Sequence, residues 1–151
     1  MDFILTDRGR LRLFETPFAT ADHCWILLDT SATPSVTTWV DYDDISAFEV
    51  NGVTYPDYAA NAPLDATGES VATVGGFTVL DIADANFGAS VTISGRYLVL
   101  MDSTAVALTG TTLIIGYADI TGGGNASSVS NNFAVNINAL GLHRFGPVGS
   151  F

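Results

Sequence analysis

Lysine is absent from these 151 residues, and all five basic positions are arginine. A phosphate-binding loop of the Gly-x-x-x-x-Gly-Lys type is therefore impossible. Cysteine occurs once, at Cys24, so no intrachain disulfide can form and no oxidising compartment is implied. Beside Trp25 in an apolar run, Cys24 reads as a small buried hydrophobe. Histidine occurs twice, at His23 and His143, with no His-x-x-His or Cys-x-x-Cys spacing, which leaves a zinc site without ligands. Apolar runs are all far shorter than a membrane-crossing helix. The opening stretch, with its early Asp2 and very short apolar run, lacks the pattern of a secretory signal.

What is present is acidic and apolar. The net charge is -11, hydrophobic residues make up 48% and charged residues only 14%, with a pI near 4.1 and a mean hydropathy of +0.35. Disorder is excluded by that apolar content. Nucleic acid and anionic membranes are poor partners for such a field. A large apolar fraction with few charges suggests that a partner covers part of the outer surface. The cations are unevenly placed: Arg8, Arg10 and Arg12 fall in one short stretch.

Short runs rich in Val, Ile, Thr, Phe and Tyr recur between breakers, the pattern of an all-β antiparallel sandwich. Strands are expected over residues 24–30, 36–40, 47–50, 53–58, 71–74, 77–82, 90–93, 96–101, 112–120 and 132–137. Asn51-Gly52 predicts a two-residue hairpin turn. Gly95 predicts a bulge or bend within 91–101. The segment Thr6–Thr16 has short helical character, weakened by Gly9. The division expected is an extended or short-helical N-terminal arm over 1–20, a sandwich domain over 21–145 and a tail over 146–151.

Phe133, Val135 and Ile137 alternate with small or polar residues, as in a half-buried strand. Tyr97-Leu-Val-Leu-Met101 and Leu113-Ile-Ile115 are apolar on both faces instead. The outer face of a two-layer sandwich is normally wet, so a subunit contact is the favoured reading for these strands.

No catalytic constellation emerges. A Gly-x-Ser-x-Gly elbow is missing, and so is the strand–helix alternation that would carry one. Gly122-Gly-Gly-Asn-Ala126 follows a strand without opening a helix, unlike a nucleotide fingerprint. Asp41, Asp43 and Asp44, or Asp81 and Asp84, could gather oxygen ligands for calcium. Solvated loops with local turn bonds are the preferred reading of both clusters. His23 is expected as an exposed turn residue ahead of a strand, and His143 as a surface or interface residue beside Arg144. Asn125-Ala-Ser127 matches a glycosylation sequon, a motif common by chance. No enzyme activity, cofactor or metal is expected.

The order of motifs carries a resemblance. Trp25-Ile-Leu-Leu-Asp-Thr-Ser31 is followed by Phe48-Glu-Val-Asn-Gly52 with Tyr55. Leu80-Asp-Ile-Ala-Asp-Ala-Asn-Phe87, Arg96-Tyr-Leu-Val-Leu-Met101 and Leu113-Ile-Ile-Gly-Tyr-Ala-Asp-Ile120 come next, and Val135-Asn-Ile-Asn-Ala-Leu-Gly-Leu-His-Arg144 closes the set. This succession resembles the small structural proteins of tailed bacteriophages, and more narrowly capsid decoration (cement) proteins with a jelly-roll-like β-sandwich. The resemblance implies a protein made in the host cytoplasm and bound to the outer capsid surface of the virion. It also implies a homotrimer that contacts the major capsid protein, with no nucleic acid or membrane partner. In that role Arg8, Arg10 and Arg12 are expected to pair with carboxylates of the capsid, because the planar guanidinium binds them bidentately. Leu11, Leu13 and Phe14 supply an apolar anchor. The subunit interface is expected at Tyr97, Val99, Met101, Ile115, His143 and Arg144. A rival expectation is a tail-tip or head-fibre module binding host surface glycan, with Trp39, Tyr42, Tyr55 and Tyr58 as stacking residues.

Overall fold

A computed structural model describes residues 2–50, 63–103, 108–137 and 141–147. In chain order the strands and the helix are β1 Phe3–Leu5, α1 Asp7–Glu15, β2 Cys24–Leu28, β3 Leu64–Asp65, β4 Ser70–Val74, β5 Phe77–Asp81, β6 Ala85–Asn86, β7 Val91–Gly95, β8 Tyr97–Met101, β9 Ile114–Asp119, β10 Ala126–Asn131, β11 Ala134–Val135 and β12 His143–Pro147. The fold is all-β and sandwich-like, as the alternation of short strands and breakers predicts. The Asn51-Gly52 hairpin and the expected strand over 53–58 lie outside the described residues.

One sheet runs β1-β9-β8-β2-β3, antiparallel throughout. Leu5, Trp25, Leu27, Leu98, Leu100 and Ile115 on one of its faces meet Leu80, Ile82, Ile93, Phe133 and Leu142 of the opposing layer. That layer is built from β12-β5-β4, β10-β7 and β11-β6. Gly95 lies where the chain leaves β7 in the second layer and enters β8 in the first. A bend of this kind is how strands change sheets. A Cβ there would lie 2.3 Å from the Leu27 side chain, so glycine also admits the close approach of the two layers.

The other face of the five-stranded sheet is not wet. Cys24, Ile26, Leu28, Tyr97, Val99, Met101 and Ile114 are covered by Ala32, Trp39, Ile45 and Leu108, with Val36, Tyr42 and Phe48 at the rim. Residues 32–48, together with Leu108, thus supply a third layer without a regular strand. The strands expected at 36–40 and 47–50 are a turn and a 3-10 helix, Ser46–Phe48. The proposed subunit contact at Tyr97, Val99 and Met101 is corrected accordingly. Val99 and Met101 have no exposed surface and Tyr97 keeps 6%, so the chain's own loops already occupy that face. Ile115 points into the opposite core and is likewise fully buried.

Candidate interaction surface

The N-terminal segment is a built-in part of the sandwich rather than a free arm. β1 is an edge strand of the main sheet, with Phe3, Ile4 and Leu5 opposite Ala118, Tyr117 and Gly116. Helix α1 starts at Thr6, whose hydroxyl accepts from Gly9 N–H at 2.9 Å as an N-cap. The same hydroxyl donates to Ile114 O at 2.7 Å, and Thr6 N–H donates to Ile115 O at 3.1 Å. These carbonyls are offered by a bulge in β9. Leu100 pairs Gly116 and Met101 pairs Ile114, so Ile115 is the extra residue. Gly9 faces the bulge, where a Cβ would stand 1.9 Å from Ile115 O. The glycine that weakens the helix by propensity is what lets the helix touch the sheet.

Docking through Gly9 and Leu13 decides which side of α1 faces water. Leu13 packs on the core. Leu11 and Phe14, three residues apart and so neighbours on one face, are 49% and 90% exposed. The nine-residue helix holds three cations against two anions in a chain of net charge -11. Arg12 is committed to its own chain: its Nε donates to Asp102 Oδ2, and Nη1 donates to Thr16 Oγ1. Arg8 lies 3.4 Å from Glu15, and Arg10 lies 3.6 Å from Asp7, with Arg10 the most exposed of the three. Of the six residues expected to bind a partner, Arg12 and Leu13 are therefore used internally. Arg8, Arg10, Leu11 and Phe14 form the outward surface. Exposed ion pairs of this sort are worth only about 0–1 kcal/mol each, which leaves Arg8 and Arg10 free to exchange partners at little cost.

The remaining cations are fixed. Arg96 donates to Asp119 Oδ2 from Nε at 3.1 Å and Nη2 at 2.8 Å. With backbone N–H groups of Thr121 and Gly122 also donating to it, the Asp119 carboxyl is held down to about 2. Arg144 lies over the Phe77 ring at 4.3 Å. His143 Nδ1 is 3.1 Å from Phe3 O, so its Nδ1–H donates there and joins β12 to β1. His143 and Arg144 remain at the surface, yet each already has an intrachain partner.

Comparison with protein-family models, curated proteins and solved structures returned no match.

Other residues singled out by sequence have internal roles. Asp44 accepts from Val40 N–H at 2.8 Å and Asp41 N–H at 3.2 Å, and Asp84 accepts from Ile137 N–H at 2.7 Å. Both acidic clusters thus hold loops. Among the described residues no three His, Cys, Asp or Glu side chains converge as a metal site. Trp39 is packed edge-on to Tyr117 at 5.2 Å and is 4% exposed. Tyr42 donates to Glu49, and burial with that bond pushes its hydroxyl pKa up. Tyr55 and Tyr58 lie outside the described residues.

His23 is not an exposed turn residue but is buried at 1% exposure, stacked on Phe18 at 4.7 Å. Its Nδ1 stands 3.4 Å from Glu69 Oε1. Burial lowers the imidazole pKa, and Glu69, Asp102 and Asp22 oppose that shift only in part. A histidine whose folded pKa is depressed binds fewer protons than the unfolded chain as pH falls below about 6.5. Stability is accordingly expected to fall on acidification through that point, until the folded imidazole itself protonates. Denaturant unfolding at pH 7 and pH 5.5 measures this, and a His23→Gln variant should show a flatter dependence. An equal slope in the variant would assign the acid sensitivity to another group.

Proposed function

We propose that this chain is a non-catalytic coat protein of a virus particle, a capsid decoration protein seated on the major capsid protein through helix α1. The observation that carries the docking site is Phe14, 90% exposed beside Leu11 on a helix whose opposite side is locked to the sheet. A large apolar side chain so placed is informative where a scattered one is not. Arg8 and Arg10 flank it on a chain that is otherwise strongly acidic, so the complementary site is an apolar pocket rimmed with carboxylates. The particle itself is supported by the order of the sequence motifs. The homotrimer implied by the same resemblance would assemble on the particle, through surfaces other than the buried residues of the five-stranded sheet.

Phe14→Ser tests the site. Full burial of such a side chain is worth roughly 1.5–3 kcal/mol, so the variant is expected to bind particles on the order of tenfold or more weakly. Its thermal unfolding should match the wild type, because Phe14 makes little contact in the free chain. Co-sedimentation with undecorated particles measures the loss, and unchanged occupancy would refute docking through α1. Copy number tests the wider assignment: hundreds of copies per particle fit a decoration protein, whereas a few copies fit a tail or fibre module. The glycan-binding alternative is weakened by the burial of Trp39 inside the third layer.

A further inference from the structure

The edges of the sheets differ in how they are protected. An edge strand exposes unpaired N–H and C=O groups, and natural proteins blunt such edges with short length, charge, proline or a bulge. β1 and β3 are three and two residues long, and His143 already bonds the Phe3 carbonyl at the β1 edge. β12 carries Arg144, Pro147 and a register shift. The β10–β7 pair is interrupted by a register shift next to Ser130, a non-glycine residue at φ 51°.

Among the described residues β4 carries no charge, proline or register shift, although the 3-10 helix Phe18–Thr20 approaches it. β4 is the terminal strand of β12-β5-β4, five residues long, and pairs β5 without a shift from Ser70↔Asp81 to Val74↔Phe77. All five residues are exposed, Val71 at 47% and Val74 at 49%. Its hairpin turn, Gly75-Gly76 at φ 59° and 84°, has the two positive φ values of a tight two-residue turn, which keeps the hairpin regular up to its tip. From Ser70 to Leu80 the chain carries no charged side chain, whereas 16 acids are spread over the rest.

We propose that β4 is a self-association edge that pairs antiparallel with β4 of a second copy, joining two three-stranded sheets into one of six strands. A second copy fits this edge because self-pairing here brings no charged side chains together. Two chains of net charge -11 repel, and a neutral edge is where they approach at least cost. A two-fold axis at Ala72 sets Ala72 opposite Ala72, Val71 opposite Thr73 and Ser70 opposite Val74. Glu69 then falls opposite the turn glycine Gly75, so the nearest carboxylates do not confront each other. The pairing exploits main-chain hydrogen bonds for affinity and small or β-branched side chains for fit. This surface lies on a different sheet from helix α1 and does not depend on what α1 binds.

Sedimentation velocity of the full chain from micromolar to millimolar concentration is expected to show a monomer–dimer equilibrium that tightens with added salt, as repulsion is screened. Ala72→Lys, which places two cations directly opposite, is expected to weaken it at least about tenfold while far-UV circular dichroism stays unchanged. Cysteine scanning reads the register. Paired Cα atoms across an antiparallel ladder are roughly 4.5–5.5 Å apart, within disulfide reach. Under mild oxidation Ala72→Cys should cross-link with itself. Ser70→Cys should not cross-link alone, but should do so when mixed with Val74→Cys. A wild type that stays monomeric at millimolar concentration would overturn the proposal, as would a dimer indifferent to Ala72→Lys. Equal self-cross-linking at positions 70 and 72 would also overturn it.

Discussion

Gly9→Ala is expected to destabilise the protein by about 2–4 kcal/mol, the opposite sign from its effect on an isolated helix. In the interior of α1, alanine is favoured over glycine by up to about 1 kcal/mol. Against that gain stands a Cβ placed 1.9 Å from a backbone oxygen, Ile115 O, with the Ile115 carbonyl carbon at 2.6 Å. A main-chain atom in a paired strand cannot swing aside as a flexible side chain would. The helix must lift instead, and lifting it disturbs the Thr6 bonds to Ile114 O and Ile115 O and the packing of Leu13. Denaturant unfolding measures the loss, and hydrogen exchange should locate it first in α1. A neutral or stabilised Gly9→Ala would mean that α1 is not docked on the β9 bulge.

Trp39→Ala is expected to cost about 3–5 kcal/mol, the range for truncating a buried tryptophan. Trp39 anchors the third layer over Tyr117, beside Ile45 and the apolar outer face of β2 and β8. The decisive reading is the dependence on protein concentration. With Tyr97, Val99 and Met101 covered by their own chain, the loss should be the same at low micromolar protein and after tenfold dilution. A loss that grows on dilution would restore the subunit contact that both-face-apolar strands first suggest, because association makes apparent stability depend on concentration.

Those two positions also mark where sequence reading succeeds and where it stops. β2, β5, β8 and β9 were legible because Val, Ile, Leu and Tyr are concentrated in them. The bend at Gly95 was legible because glycine interrupts one long apolar run. Segments 36–40 and 47–50 read as strands because Val36, Thr37, Thr38, Trp39 and Val40, and then Phe48 and Val50, have strand propensity, whereas the structure has a turn and a 3-10 helix. The informative signal there is a period of three. Val36, Trp39, Tyr42, Ile45 and Phe48 all reach the same core, a spacing that turns and 3-10 helices can satisfy and a strand cannot. β10, with Ala126-Ser-Ser-Val-Ser-Asn131, has little propensity of its own and is made by pairing with β7. β1 was invisible because three residues hold no periodicity.

At α1, the sequence marked a short helix but not its orientation. Arg8, Arg10, Leu11 and Phe14 face water, whereas Arg12 and Leu13 turn to Asp102 and the core. The deciding residue was Gly9, whose close contact with β9 sets the rotation of the helix. That contact joins positions more than a hundred residues apart, which no local pattern encodes.

The same separation bears on synthesis. The β1 edge pairs with residues 116–118, and Thr6 bonds to carbonyls 108 and 109 positions later. During translation, the first strand and helix must wait for β9 to emerge before they find their seats. Contacts of such long range close slowly. Until then Phe3, Leu5, Leu13 and the permanently exposed Leu11 and Phe14 form one apolar surface on the nascent chain. The net charge of -11 on the complete chain then favours solubility while these segments are still unseated.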